Sequence, residues 1–307
     1  MKILVAGATG LVGSSIIRNL NAKKANVIGV SSKDVNLLDR DRTFLFLKET
    51  APDVVIDAAA RVGGIGANDN FPVDFLSDNL RIQTNLIDAA HNAQVEKFIF
   101  LGSSCIYPKL AEQPIKETEL LKGYLEPTNS AYAIAKIAGI ELIKAYRKQY
   151  NHKWISLMPA NLYGPGDNFN VKNGHVLPSL INKFHIAKSQ NLENVDLWGD
   201  GSAFREFLHV DDLAEAVVFC MNNFDGNEHL NIGSGEEVSI KELAEMIQKA
   251  VQFKGIVNWD PEMPNGTPRK ILDSTNISNL GWKAKIDLEK GIKQTYDWFL
   301  SNTNHRK

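Results

Sequence analysis

The stretch Lys2-Ile3-Leu4-Val5-Ala6-Gly7-Ala8-Thr9-Gly10-Leu11-Val12-Gly13 decides the fold. Residues 3–6 are an unbroken apolar run, which reads as a strand buried on both faces. Glycines follow at Gly7, Gly10 and Gly13, and an amphipathic pattern over residues 11–20 begins at once. Glycine permits a tight turn and lets an anion approach backbone N–H groups at a helix N-terminus, where the helix dipole also favours negative charge. Such a turn either packs a helix on a strand or cradles the pyrophosphate of a dinucleotide. Its place directly after the first apolar run favours the cradle.

Working outward, further short apolar runs occur at residues 27–30, 54–58, 98–101 and 155–158. Between them, residues 80–91 and 132–146 carry apolar side chains at three- and four-residue spacing. Alternation of strand and helix implies an α/β fold, a doubly wound parallel sheet of Rossmann type. After Asn161 the regularity breaks into a Gly-, Pro- and Asn-rich loop, a helix over residues 176–187 and a smaller mixed α/β lobe. Residues 1–160 read as the dinucleotide-binding domain and 161–307 as mainly a substrate-binding lobe. Segments near 205–235, including 214–221 and 230–232, return to the first domain in this reading.

The 307 residues leave ample room for a large core, and 44% apolar with 23% charged residues is an ordinary globular composition. A net charge of −2 without a basic run builds neither a nucleic-acid surface nor a polybasic membrane anchor. A small-molecule partner is expected. Cys105 and Cys220 are the only cysteines, too few for a disulfide framework or a structural zinc site, so a cytoplasmic protein without metal is expected. No window reaches the roughly 18 uninterrupted apolar residues of a membrane span, and residues 1–6 do not read as a signal peptide.

In this fold an acidic residue after the second strand holds the ribose hydroxyl of NAD, whereas a basic one accommodates the 2′-phosphate of NADP. The chain reads Ser31-Ser32-Lys33-Asp34 there, and the hydroxyls with Lys33 tilt the expectation to NADP(H). Asp39 has two readings, beside the adenine or as a helix cap.

Tyr132 and Lys136 stand four residues apart on one helical face. A cation stabilises phenolate, so the pair is expected to bring the tyrosine toward the working pH range. The run at 98–101 delivers Ser103 and Ser104 at its carboxyl end, where ligands bind in open α/β sheets. Serine, tyrosine and lysine would form a polar triad.

The segments Leu101-Gly102-Ser103-Ser104-Cys105-Ile106-Tyr107-Pro108, Leu125-Glu126-Pro127-Thr128-Asn129, residues 132–139, Asn161-Leu162-Tyr163-Gly164-Pro165 with His175, and Arg205-Glu206-Phe207-Leu208-His209-Val210-Asp211-Asp212 carry a resemblance. They resemble the extended short-chain dehydrogenase/reductase family, and within it the GDP-L-fucose synthase group. The resemblance implies GDP-4-keto-6-deoxy-D-mannose as substrate, epimerised at C3 and C5 and reduced at C4 by NADPH. It assigns Cys105 as base and His175 as acid, with Ser103 and Tyr132 on the C4 oxygen and Lys136 on the nicotinamide ribose. Cofactor contacts are implied for Gly7 through Gly13, including Ala8, Thr9, Leu11 and Val12, and for Ser32 and Lys33. They are also implied for Leu101, Gly102, Ser104, Pro159, Ala160, Asn161, Leu162 and His175.

For the substrate the resemblance implies Lys183, Trp198 and Arg205, with Asn265 and Arg269 as weaker candidates. Lys183 also reads as a solvated helix charge. Thr9 and Ser32 stand where some relatives carry arginine, which leaves Lys33 as the main charge for a 2′-phosphate. Asn265 stands where an aspartate is common. A homodimer is implied. Three alternatives stay open: a GDP-colitose-type reductase, told apart by substrate comparison; an NAD-retaining epimerase or dehydratase, told apart by cofactor stoichiometry; and a non-catalytic dinucleotide sensor, told apart by absence of turnover.

Overall fold

The computed structural model describes residues 1–171, 174–263 and 266–302. Apolar runs that do not alternate become strands covered on both faces. The first, β1 (Lys2–Ala6), leads into α1 (Leu11–Ala22) and β2 (Asn26–Val30), and α2 (Arg40–Thr50) carries the chain back to β3 (Val54–Asp57). Next come α3 (Ile65–Asn70), α4 (Pro72–Asn92), β4 (Lys97–Leu101), α5 (Ser130–Tyr150), β5 (Ile155–Pro159) and β6 (Asn161–Tyr163). The following stretch holds α6 (Val176–Ser189), β7 (Asn194–Trp198), β8 (Phe204–His209), α7 (Val210–Asn223) and β9 (Leu230–Ile232). The last described elements are β10 (Glu237–Ser239), α8 (Ile240–Val251), β11 (Ile256–Asp260), β12 (Arg269–Lys270), α9 (Thr275–Asn279) and α10 (Leu288–Ser301).

Six strands form one parallel sheet in the order β2-β1-β3-β4-β5-β9. The order reverses between β1 and β3, and open α/β sheets bind ligands in the crevice outside such a point. Register there pairs Ala6 with Asp57 and Asp57 with Phe100, so these three neighbours point to the same face. The doubly wound parallel sheet is the fold expected from the sequence. Its core includes the fully buried Ile56, Phe98, Phe100 and Trp154, each large side chain contributing about 1.5–3 kcal/mol by leaving water.

A second apolar cluster joins Phe184 of α6, Leu243 and Ile247 of α8, and Ile292 and Phe299 of α10. Its strands are β8, flanked by antiparallel β10 and parallel β12 with β6 also paired to it, and a parallel pair β7–β11. Ser239 and Glu242 form a reciprocal capping box at the start of α8, which fixes its entry. No helix among the described residues is long and apolar enough to cross a membrane.

One local reading is decided and one boundary moves. Asp39 caps α2, its Oδ1 accepting from the Arg42 backbone N–H at 3.0 Å. The sequence gives this helix little away because it is highly charged and buries only Thr43 and Leu47. Helix α4 begins at Pro72, ahead of the expected residue 80, and its first turns bury Phe75 together with a polar Asn79, which donates to the Phe75 carbonyl at 2.7 Å.

Candidate active site

The glycine turn is built for close approach. Gly7 has φ +79°, and a Cβ there would fall 2.5 Å from the Ala58 carbonyl oxygen. A Cβ on Gly13 would fall 2.2 Å from the Gly7 oxygen, so the helix start lies directly on the turn. Gly10 caps α1 without a side-chain hydrogen bond, and the first turn carries no acidic residue. Ser14 makes the first helical bond, to Gly10, and so the N–H groups of Leu11, Val12 and Gly13 are the helix's open donors. The N–H groups of Gly7 and Ala8 are already used by the Val30 carbonyl. Open backbone donors at a helix N-terminus fit a dinucleotide pyrophosphate.

At the end of β2 the Asp34 carboxylate takes both the backbone N–H and the hydroxyl of Ser31, at 2.8 and 2.7 Å. Those bonds hold its pKa below the usual carboxylate range. Ser31 is therefore occupied in shaping the loop, while Ser32 and Lys33 are exposed beside it.

Four of the five expected catalytic side chains meet at the carboxyl end of β4. Gly102 follows the strand, its N–H bonded to the Leu157 carbonyl at 2.9 Å, and a Cβ there would overlap the Met158 sulfur at 2.3 Å. Ser103 caps the short turn Ser104–Ile106, its Oγ accepting from the Cys105 N–H at 3.4 Å. From α5, Lys136 Nζ donates to the Leu101 carbonyl at 2.9 Å and lies 4.7 Å from the Phe100 ring centroid and 5.9 Å from that of Tyr132.

Electrostatics in this cluster are ruled by burial. Burial pushes the Cys105 thiol up, opposed first by Lys270, and the Ser103 contact also lowers it. The Tyr132 phenol is pushed up as well, first by burial and then by Cys105 and Asp57. This corrects the expectation that Lys136 draws the phenol down. Its ammonium points at the Leu101 carbonyl, and desolvation outweighs its influence on the ring.

His175 stands at the N-cap of α6 with part of its surface open to solvent, and desolvation by the surrounding protein lowers its pKa. Among the described residues no side-chain hydrogen bond joins it to the other four. Of the remaining cofactor candidates, Ala160 donates to the Ile232 carbonyl at 2.9 Å, Asn161 Nδ2 reaches the Glu206 carbonyl at 2.8 Å, and Leu162 packs on the main core. Pro159 ends β5 and Ser104 is buried. Asn161 thus ties β6 to β8 with the amide that sequence reasoning reserved for the cofactor.

Arg205 donates to the Phe204 carbonyl at 2.7 Å, and a Cβ on Gly266 would lie 3.3 Å from its guanidinium. Lys183 is half-buried with Nζ 3.5 Å from the Asp196 carbonyl, and Trp198 is 67% exposed at the end of β7. Asn265 lies outside the described residues. Arg269 forks onto Glu237 at 2.7 and 2.8 Å, so its guanidinium is already engaged.

Two residues escaped the sequence reading. Lys270 pairs in register with Arg205, and its pKa is lowered by burial, with Cys105 and Glu126 opposing and Arg205 reinforcing the shift. Alternation along β12 sends Arg269 and Lys270 to opposite faces, and that period was the available signal. The other is Asp57, fully buried at the end of β3, with its pKa raised to about 6 by burial against the pull of Lys136.

Comparison with known proteins agrees with this geometry. Residues 3–233 match the NAD dependent epimerase/dehydratase family. The chain is 52% identical over 307 residues to a putative GDP-L-fucose synthase 2 of Arabidopsis thaliana, covering 100% of this chain and 94% of the relative. It is 39% identical to a GDP-L-colitose synthase of Yersinia pseudotuberculosis, covering 99% and 100%. The structure of a GDP-L-fucose synthetase from Naegleria fowleri bound to NADP superposes with a TM-score of 0.93 at 32% identity, covering 99% of this chain and 94% of that one.

Proposed function

The chain belongs to the NAD dependent epimerase/dehydratase family, and on that premise we propose that it converts GDP-4-keto-6-deoxy-D-mannose to GDP-L-fucose by 3,5-epimerisation and NADPH-dependent 4-reduction. The meeting of Ser103, Cys105, Tyr132 and Lys136 at the carboxyl end of β4, beside the glycine cradle, carries this reading. The higher identity to the fucose synthase than to the colitose synthase favours it over the colitose-type reaction.

Protons next to a ketone become removable when the developing enolate oxygen is stabilised. Ser103 and Tyr132 donate to the C4 oxygen, and Cys105 takes the ring proton on one face while His175 returns one on the other. Burial raises the Cys105 pKa, and Lys270 is the first charge to oppose that shift and so favour the thiolate this step needs. NADPH, when bound, supplies the hydride for C4. The raised pKa of Tyr132 keeps its phenol protonated, which is the form that gives its proton to O4 during reduction. Lys136 holds the nicotinamide ribose and keeps a positive charge near that oxygen.

The division of labour follows the two clusters: residues 1–160 hold the cofactor and the later lobe the sugar nucleotide. Arg205 and Lys270 form a paired cation for the diphosphate, with Lys183 and Trp198 toward the nucleoside. Lys33 and Ser32 receive the 2′-phosphate. A homodimer belongs to the proposal. Half-exposed Ile134 on α5 lines an apolar groove of about 650 Å³ with Leu121 and Tyr124, a surface suited to a second copy. The two free, buried thiols suit a reducing cytoplasm.

Incubation with the keto-sugar nucleotide and NADPH, followed by NMR of the product, tests the reading. GDP-L-fucose with one NADPH consumed per sugar supports it. An unreduced product with cofactor retained, or turnover only of a further deoxygenated GDP-hexose, contradicts it.

A further inference from the structure

We propose that Asp57 is a positioning residue for the reduction, its buried carboxylate keeping the Lys136 ammonium charged where Tyr132 gives up its proton. This rests on the reading of Lys136 and Tyr132 as the reducing pair. Asp57 ends β3 at the point where the strand order reverses, and it is 0% exposed. Its Oδ1 accepts from the Ala59 N–H at 3.1 Å, while Oδ2 has no partner among the described residues. A buried acid with an unused oxygen destabilises a fold unless something offsets it.

Register supplies the partner. Asp57 and Phe100 sit side by side on one face of the sheet, and Lys136 Nζ lies over that same Phe100 ring at 4.7 Å. The titratable groups that interact electrostatically with Asp57 are Lys136 and Tyr132, both on α5, and Cys105 acts on the same two. Its strand neighbours Ala6 and Phe100 are apolar. Among the described residues no direct ion pair joins Asp57 to Lys136, and the coupling runs through the buried interior beside Phe100, where low polarity strengthens it.

Burial lowers the Lys136 pKa and Asp57 is the first influence that raises it again. Without Asp57 the ammonium loses its proton at lower pH, and the charge near the reacting oxygen goes with it. The Leu101 hydrogen bond fixes where that charge stands but adds no anion to hold it.

The test has two arms. In Asp57→Asn, the alkaline limb of kcat for ketone reduction is expected to move down by roughly one pH unit, with KM for NADPH unchanged. An unmoved limb, whether or not kcat falls, overturns the proposal. In the second arm, wild-type protein labelled with ¹³Cγ-aspartate is titrated by NMR beside Lys136→Met. Removing the ammonium should raise the titration of the high-pKa carboxyl above the wild-type value, and an unmoved titration overturns the coupling. That arm needs no sugar nucleotide, so it fails separately from the reaction assignment.

Discussion

Lys136 Nζ donates a 2.9 Å hydrogen bond to the carbonyl of Leu101, the last residue of β4. One bond therefore ties the helix that carries Tyr132 to the strand that delivers Ser103 and Cys105. In the proposed mechanism reduction and epimerisation share this joint, and the residues around it can be separated by experiment.

Asp57 makes stability depend on pH. Its folded pKa of about 6 lies above the ordinary 3.8, so the native state holds a proton that the unfolded chain has released between those values. Stability contributed by the neutral carboxyl is thus present below the unfolded pKa and lost as pH rises to about 6, by about 3 kcal/mol. Asparagine does not ionise. The unfolding free energy of Asp57→Asn relative to wild type should therefore increase from about pH 4 to about pH 8 in urea melts, and a constant difference would contradict the assignment.

Arg205→Ala and Lys270→Ala should each weaken GDP-sugar binding by about 1.5–3 kcal/mol, roughly ten- to hundredfold in Kd. Arg269→Ala should leave that Kd unchanged, because its guanidinium is held by Glu237. Calorimetry with GDP-L-fucose reads all three. An effect at Arg269 without one at Lys270 would reverse the proposed facing of β12.

Lys33→Glu should raise KM for NADPH more than for NADH, since only NADPH carries the extra phosphate charge to repel. Ser31→Ala should act through the loop instead, loosening Asp34 and affecting both cofactors alike. Steady-state kinetics with the two cofactors distinguishes these outcomes.

The parallel sheet was legible because β1, β3, β4 and β5 are dominated by apolar residues and are joined by periodic helices. Helix α2 was not, because a charged surface helix that buries two side chains has almost no apolar stripe. In the site, Gly7, Ser103, Tyr132 and Lys136 stood out by spacing along the chain. Lys270 and Asp57 did not, since each acquires its meaning from a strand neighbour distant in sequence, Arg205 for one and Phe100 for the other. The sign of the Tyr132 shift was likewise hidden, because desolvation depends on packing and not on the four-residue spacing to Lys136.

The central claim is that one site carries two separable half-reactions, with Cys105 and His175 moving ring protons and Tyr132 with Lys136 serving reduction. Incubation of the keto-sugar nucleotide in D2O, followed by NMR of the C3 and C5 protons, tests it most directly. Cys105→Ser and His175→Asn should abolish or strongly suppress exchange while still consuming NADPH slowly, and Tyr132→Phe should exchange protons while failing to reduce. Normal exchange in both the Cys105 and His175 variants would contradict the account.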